Sequence, residues 1–242
     1  MKPLTVLLAF DLTQRRACVA LTKETASHVR ALQGQSAHGD EVFFTELDAL
    51  LLEAGVAKEE IGVVAVAVGP GSFTGLRVSI AAAKGIATAL GLRVLAVPSA
   101  FVEAQSLRAA KGTQASIVAL ASKQGSAWFT ACVYRDGRWS ALVEGSAGGV
   151  ETLDRCATAL KATGCSLPIA LIHDEHLDAT LLSAATRMSL VSEPARADGI
   201  ALLSVAREFL DADESLDPMQ LLPIYPREPE AVTIWNARHT GG

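Results

Sequence analysis

Residues 63–91 read VVAVAVGPGSFTGLRVSIAAAKGIATALG, and this stretch decides the fold. Residues 63–68 are an unbroken run of β-branched and small apolar side chains, so both faces of that strand should be buried. The run ends in Gly69-Pro70-Gly71-Ser72-Phe73-Thr74-Gly75, a loop with three glycines and a proline. A helix follows, and Gly91 suits its close. At about 100° per residue, Arg77, Lys84 and Thr88 of that helix fall in one narrow stripe. Leu76, Ile80, Ala83, Ala87 and Leu90 form a first apolar face, and Val78, Ala82, Ile86 and Ala89 a second. A surface helix needs one apolar face. One of these packs on its own sheet; the other needs a further cover, from this chain or another. Spacing leaves the glycine loop three readings: a phosphate cradle on backbone N–H groups, a tight turn that uses glycine's freedom, or a partner-docking loop. It is neither GxxxxGK[ST] nor GxGxxG.

The 242 residues suffice for one large domain or two small ones. Half are hydrophobic and 19% charged, which implies a large core or a substantial buried interface. A net charge of −5 argues against autonomous nucleic-acid binding, which normally shows a basic domain. Cys18, Cys132, Cys156 and Cys165 are scattered without a CxxC pair and fit reduced, cytosolic thiols. Residues 1–10 are too short an apolar run for a signal peptide, and the apolar window 78–97 is interrupted by Lys84, Gly85, Gly91 and Arg93. A cytoplasmic protein with no membrane span is expected.

The order of elements begins with strands at 4–10, 17–21 and 26–32. A helix at 40–54 with Phe43, Leu47 and Leu50 on one face comes next. The strand at 63–68, the long helix and a strand at 93–97 complete a first lobe. The order then recurs: strands at 115–121, 127–134 and 138–144, the last two joined by the hairpin signal Asp136-Gly137; a helix at 150–163; a strand at 168–173; a helix at 177–186; a short strand at 190–192; and a helix at 198–212. The chain therefore reads as two similarly ordered α/β lobes divided near 98–110, followed by a Pro-rich, aromatic extended tail from Pro218.

A tandem of such lobes resembles the actin, sugar-kinase and heat-shock chaperone ATPase group, with ribonuclease-H-like lobes. In that group phosphate loops follow the first hairpin of each lobe, and Asp11-Leu12-Thr13 resembles the first of them. The segment GPGSFTGLR, Gly69 to Arg77, narrows the match: it resembles the signature of the TsaB (YeaZ) family. The likeness extends through AKGIATALGLRVLAVPSA, and Pro223-Ile224-Tyr225-Pro226-Arg227 is similar to that family's Pro-x-Tyr-x-Arg ending. The chain departs from the family pattern at His38-Gly39, at Ser79, where glycine is usual, and at Ala121-Ser122-Lys123, which lacks the acidic residue of the second phosphate loop.

The resemblance implies a non-catalytic or degenerate subunit that works with TsaD and the ATPase TsaE. Their product is a threonylcarbamoyl group on N6 of the adenosine next to the tRNA anticodon. It implies a heterodimer with TsaD through first-lobe helices, a homodimer through the same surface when alone, and tRNA met through the complex. Phe43, Leu47, Leu50, Ser72, Phe73, Arg77, Val78, Ala82, Ile86 and Ala89 are the expected interface. Asp11, Thr13, Gly69, Gly71 and Gly75 are the candidates for a nucleotide or phosphate. No tightly bound cofactor is expected; ATP or ADP would sit at the junction with the partner. Lobes at 1–102 and 103–217 and a tail at 218–242 are the expected domains. The rival class is an autonomous actin-like ATPase or small-molecule kinase using Asp11, Thr13 and the glycine loop. A zinc peptidase is a third, with His173-Asp174-Glu175-His176 as its densest ligand-like cluster. No GxSxG or paired nucleophile supports it, so no catalytic residue and no metal ligand is assigned.

Overall fold

The computed structural model describes residues 6–32, 40–165, 168–226 and 235. Two five-stranded sheets organise it. The first is built from β1 (Val6–Asp11), β2 (Cys18–Lys23), β3 (Ala26–Ala31), β4 (Ile61–Ala67) and β5 (Val94–Val97), in the order β3-β2-β1-β4-β5. Strands β1, β2 and β3 run antiparallel; β4 and β5 run parallel to β1. The second comprises β6 (Ala115–Lys123), β7 (Ser126–Arg135), β8 (Arg138–Gly148), β9 (Ala170–His173) and β10 (Val191–Pro194), in the order β10-β9-β6-β7-β8. Its first three strands are again antiparallel, and its last two are parallel to the first. The two sheets share one topology, and the fold is a tandem of ribonuclease-H-like lobes. Local chemistry explains the turns. Asp136 and Gly137 both take positive φ, the requirement of a two-residue hairpin whose twist matches its strands.

Helices cover both outer faces. α1 (Asp40–Ala54) and α2 (Phe73–Leu90) lie on the first sheet, where Phe10, Phe43, Leu50, Val64, Val66 and Ala83 form one core. α4 (Val150–Ala162) and α5 (Ala179–Arg187) cover the second sheet around Phe129, Leu153, Leu160 and Leu181. Ser72 caps α2 by accepting the Gly75 N–H, and Gly91 ends it with φ +67°. The helix therefore begins three residues before the expected start, because Phe73-Thr74-Gly75 belongs to its first turn.

Two more helices fill the space between the inner faces, and they cross over. α3 (Ser99–Lys111) follows the last strand of the first lobe but packs on β6 and β7. α6 (Gly199–Asp211), capped by Asp198, comes from the end of the second lobe and packs on β1, β2 and β5. The central core consequently mixes both lobes: Leu7, Ala65 and Leu95 with Val118, Trp139 and Ile172, joined by Phe101 and Phe209. The expected divide at 98–110 is thus a helix, and position 102 falls inside it. Residues Ser99 to Gln105 are all buried, Glu103 and Gln105 included, so the segment has no polar face to betray its period. Among the described residues no helix is long and apolar enough to cross a membrane.

Candidate functional site

The Gly69–Gly75 loop leaves β4 and lies directly on the Leu12-Thr13 turn that follows β1. A Cβ on Gly75 would stand 2.0 Å from the Leu12 carbonyl oxygen, and one on Gly71 would stand 2.7 Å from the Thr13 Cβ and carbonyl oxygen. Only glycine permits this approach. Hydrogen bonds stitch the joint. Ser72 N–H donates to the Thr13 carbonyl at 2.9 Å. Thr13 N–H donates to Asp11 Oδ1 at 2.7 Å, and Gln14 Nε2 donates to the Pro70 carbonyl at 2.9 Å. Leu12 N–H donates to Ser79 Oγ at 3.2 Å. The buried Ser79 hydroxyl thereby supplies an acceptor for the turn's Leu12 N–H.

Two further ties hold the loop. The Ser99 N–H at the start of α3 donates to the Gly69 carbonyl at 2.9 Å, and the Ile224 N–H in the tail donates to the Val68 carbonyl at 2.7 Å. The structure therefore brings Asp11, Thr13, Gly69, Gly71 and Gly75 together as a packed joint. Asp11 is 4% exposed and Thr13 2%. Two of the depressions among the described residues, of about 480 and 420 Å³, lie elsewhere, both beside Tyr134.

The expected interface residues divide. Phe43 and Leu50 are fully buried and Leu47 nearly so; Phe10 stacks on Phe43 with ring centres 4.7 Å apart. They are core residues of the first lobe, because a helix on a sheet uses its apolar stripe for that sheet first. Ala82 is buried in the same core, and Val78 and Ile86 are half-buried against it. Ser72, Phe73, Arg77 and Ala89 face outward. On α1 the exposed apolar positions are instead Phe44 and Leu52, at 45% and 85%, neither of them among the expected contacts. The outward strip is therefore narrower than the two-faced wheel suggests.

Other chemical candidates resolve into structural roles. His173 is engaged at both ring nitrogens: Nδ1 lies 2.7 Å from the Asp174 carbonyl, which can only accept, so Nδ1–H donates, and Nε2 lies 2.8 Å from Ser192 Oγ. His176 is exposed beside Glu175, and Glu175 pairs with Arg15 across the two lobes. Among the described residues no three His, Cys, Asp or Glu side chains could hold one metal ion. Burial, with Asp11 adjacent, pushes the Cys18 thiol up to about 12, which removes it as a nucleophile. His38 and Arg227 lie outside the described residues.

One titratable group escaped the motif reading. Glu103, on α3, is 3% exposed, and its Oε2 accepts the N–H groups of Arg196 and Ala197 at 2.7 and 2.8 Å. Burial pushes its carboxyl up to about 7. The only signal in the sequence is an acidic residue inside the otherwise apolar run SAFVEA.

Comparison with known proteins adds three findings. Residues 35–153, just under half of the chain, match the family model for TsaD, tRNA N6-adenosine threonylcarbamoyltransferase. No curated protein matches the chain. Among solved structures, YeaZ from Pseudomonas aeruginosa superposes with a TM-score of 0.74 at 22% identity, over 91% of this chain and 99% of its own. A second Pseudomonas aeruginosa protein, described as similar to peptidase YeaZ, gives 0.74 at 23% identity over 92% and 100%. At these identities the likeness is one of fold. It extends over nearly the whole chain, so the resemblance to the TsaB (YeaZ) family, carried in the sequence by the Gly69–Arg77 signature, holds in architecture as well.

Proposed function

We propose that this chain is a TsaB-type subunit that supports TsaD, together with TsaE, in threonylcarbamoylation of tRNA, and that it performs no chemistry of its own. The observation that carries the reading is the orientation of the GPGSFTGLR segment. Gly71 and Gly75 are consumed in close packing on the Leu12-Thr13 turn and Gly69 in packing on Leu76 and the Ile224 carbonyl, while Phe73 and Arg77 stand on the outside. A phosphate loop needs free backbone N–H groups and reachable polar side chains. Here the Ser72, Gly75 and Thr13 N–H groups already have acceptors, and Asp11 and Thr13 lie beneath the loop. An autonomous kinase or ATPase would have to open this joint before binding its substrate. A docking subunit uses it closed, as a rigid base for the outward residues of α2.

Drop-out reconstitution tests the reading. Transfer RNA, threonylcarbamoyl-adenylate, TsaD, TsaE and ATP are combined with and without this chain, and the modified nucleoside is quantified. Multi-turnover product that requires the chain supports the subunit role. Equal product in its absence, or ATP turnover by the isolated chain, refutes it.

A further inference from the structure

The segment after α6 turns back to the first lobe and binds it in sequence. Val94 and Leu216 exchange backbone hydrogen bonds of 3.0 and 2.7 Å, forming a single antiparallel bridge on the free edge of β5. Residues Pro218–Gln220 make one 3-10 turn against α2. Leu221 is fully buried, and Ile224 packs on the outer core of the first lobe while its N–H holds the Val68 carbonyl at the root of the glycine loop. A Cβ on Gly69 would stand 3.0 Å from the Ile224 carbonyl oxygen, so loop and tail are in contact at backbone level.

The next residue reaches the outward side of α2. Tyr225 places its ring 5.4 Å from that of Phe73, tilted by 38°, and the Arg77 guanidinium stands 4.3 Å from the Phe73 ring centre. Phe73 and Tyr225 stay 49% and 39% exposed. Among the described residues no carboxylate lies in ion-pair range of Arg77, so its charge has only the ring for company. Phe73 sits in the first turn of its helix, with Tyr225 of the tail and Arg77 of the next turn as neighbours of its ring. An exposed Tyr, Phe and Arg fixed in one cluster have the composition of an interface anchor, and holding them in place before contact lowers the ordering cost of binding.

We propose that residues 221–226 are a strap that sets the partner-facing surface, with Tyr225 as the positioning residue for Phe73 and Arg77. The occupant is the TsaD-type subunit, meeting the cluster with an apolar helix face that carries a carboxylate opposite Arg77. Charge decides the choice of occupant: a second copy of this chain brings the same cation, and no carboxylate, in its own cluster. The proposal rests on the partner-subunit reading above.

The test titrates purified TsaD onto the full-length chain and its variants, with thermal midpoints as the folding control. Tyr225→Ala is expected to weaken binding about tenfold, and Tyr225→Phe to restore it to within about twofold of the parent, because the ring and not the hydroxyl makes the contact. Arg77→Gln is expected to flatten the salt dependence of the affinity. Wild-type affinity in Tyr225→Ala, alongside lost binding in Ala89→Glu on the neighbouring helix face, overturns the strap and leaves the subunit reading standing. If Tyr225→Ala unfolds, Arg77→Gln decides: an unchanged affinity and salt slope overturns the proposal. A wild-type chain that does not bind TsaD removes both.

Discussion

Glu103 accepts the backbone N–H of Ala197 at 2.8 Å across 94 positions of chain, and the neighbouring Arg196 N–H at 2.7 Å on the same carboxylate oxygen. The helix that covers the second sheet is thereby tied to the turn that launches the helix covering the first. Both N–H groups belong to the irregular link before α6, where Ala197 is buried and no regular ladder can be joined, so the carboxylate takes the place of one.

That contact makes stability depend on pH. Burial is the main cause that lifts Glu103 from its ordinary 4.5 to about 7, the Asp11 charge adds to it, and the two N–H donors oppose it. The folded chain thus holds this proton more tightly than the unfolded chain. The resulting contribution is complete below about pH 4.5, declines as pH rises, and is gone above about 7. Glu103→Gln keeps an oxygen able to accept both N–H groups and removes the titration. Urea midpoints of the wild type should fall between about pH 5 and 7.5 relative to those of the variant, and the variant should be the more stable at pH 8 by up to about 3 kcal/mol. Parallel pH profiles for the two proteins exclude Glu103 as the titrating group.

Glycines 75 and 85 make an internal control. Gly75→Ala drives a methyl into the Leu12 carbonyl, which belongs to backbone and has no rotamer to escape by. A loss of about 3 kcal/mol or more in urea unfolding is expected. Gly85 lies exposed in the middle of α2 with nothing within 4 Å of its added Cβ. Gly85→Ala should stabilise the chain by about 0.5–1 kcal/mol. If the two alanines have equal effects, the packed joint does not exist in solution.

The two sides of α2 separate folding from assembly. Ala82→Glu buries a charge in the first-lobe core and should lower the thermal midpoint by several degrees or abolish folding. Ala89→Glu adds a charge at an exposed position and should leave the midpoint unchanged while weakening TsaD binding. Light scattering of the mixed proteins measures the second effect; a full-strength complex with Ala89→Glu takes this flank out of the interface.

What the sequence made legible followed from periodicity and punctuation. The apolar stripe Phe43, Leu47, Leu50 and Gly55 at φ +59° delimit α1 (Asp40–Ala54) as expected. Asp136-Gly137 marks its hairpin. What stayed hidden was of another kind. A period says which side of a helix is apolar, not which surface covers that side. Hence Phe43, Leu47, Leu50 and Ala82 read as interface although their own sheet buries them. The same ignorance conceals the crossing of α3 and α6. Glu103 and Gln105 break the apolar run of α3 because they are partners to distant groups, Arg196, Ala197 and Ser204, that no local window contains.

The crossing of those two helices sets a timetable for biosynthesis. When β5 leaves the ribosome, the inner side of the first sheet is complete, yet the helix that shields it is still roughly a hundred residues from being made. At synthesis rates of about 5–20 residues per second, Leu7, Ala65 and Leu95 wait roughly 5–20 s in contact with water or with a chaperone. The amino-terminal half of this chain waits as a nascent intermediate until α6 (Gly199–Asp211) has been made.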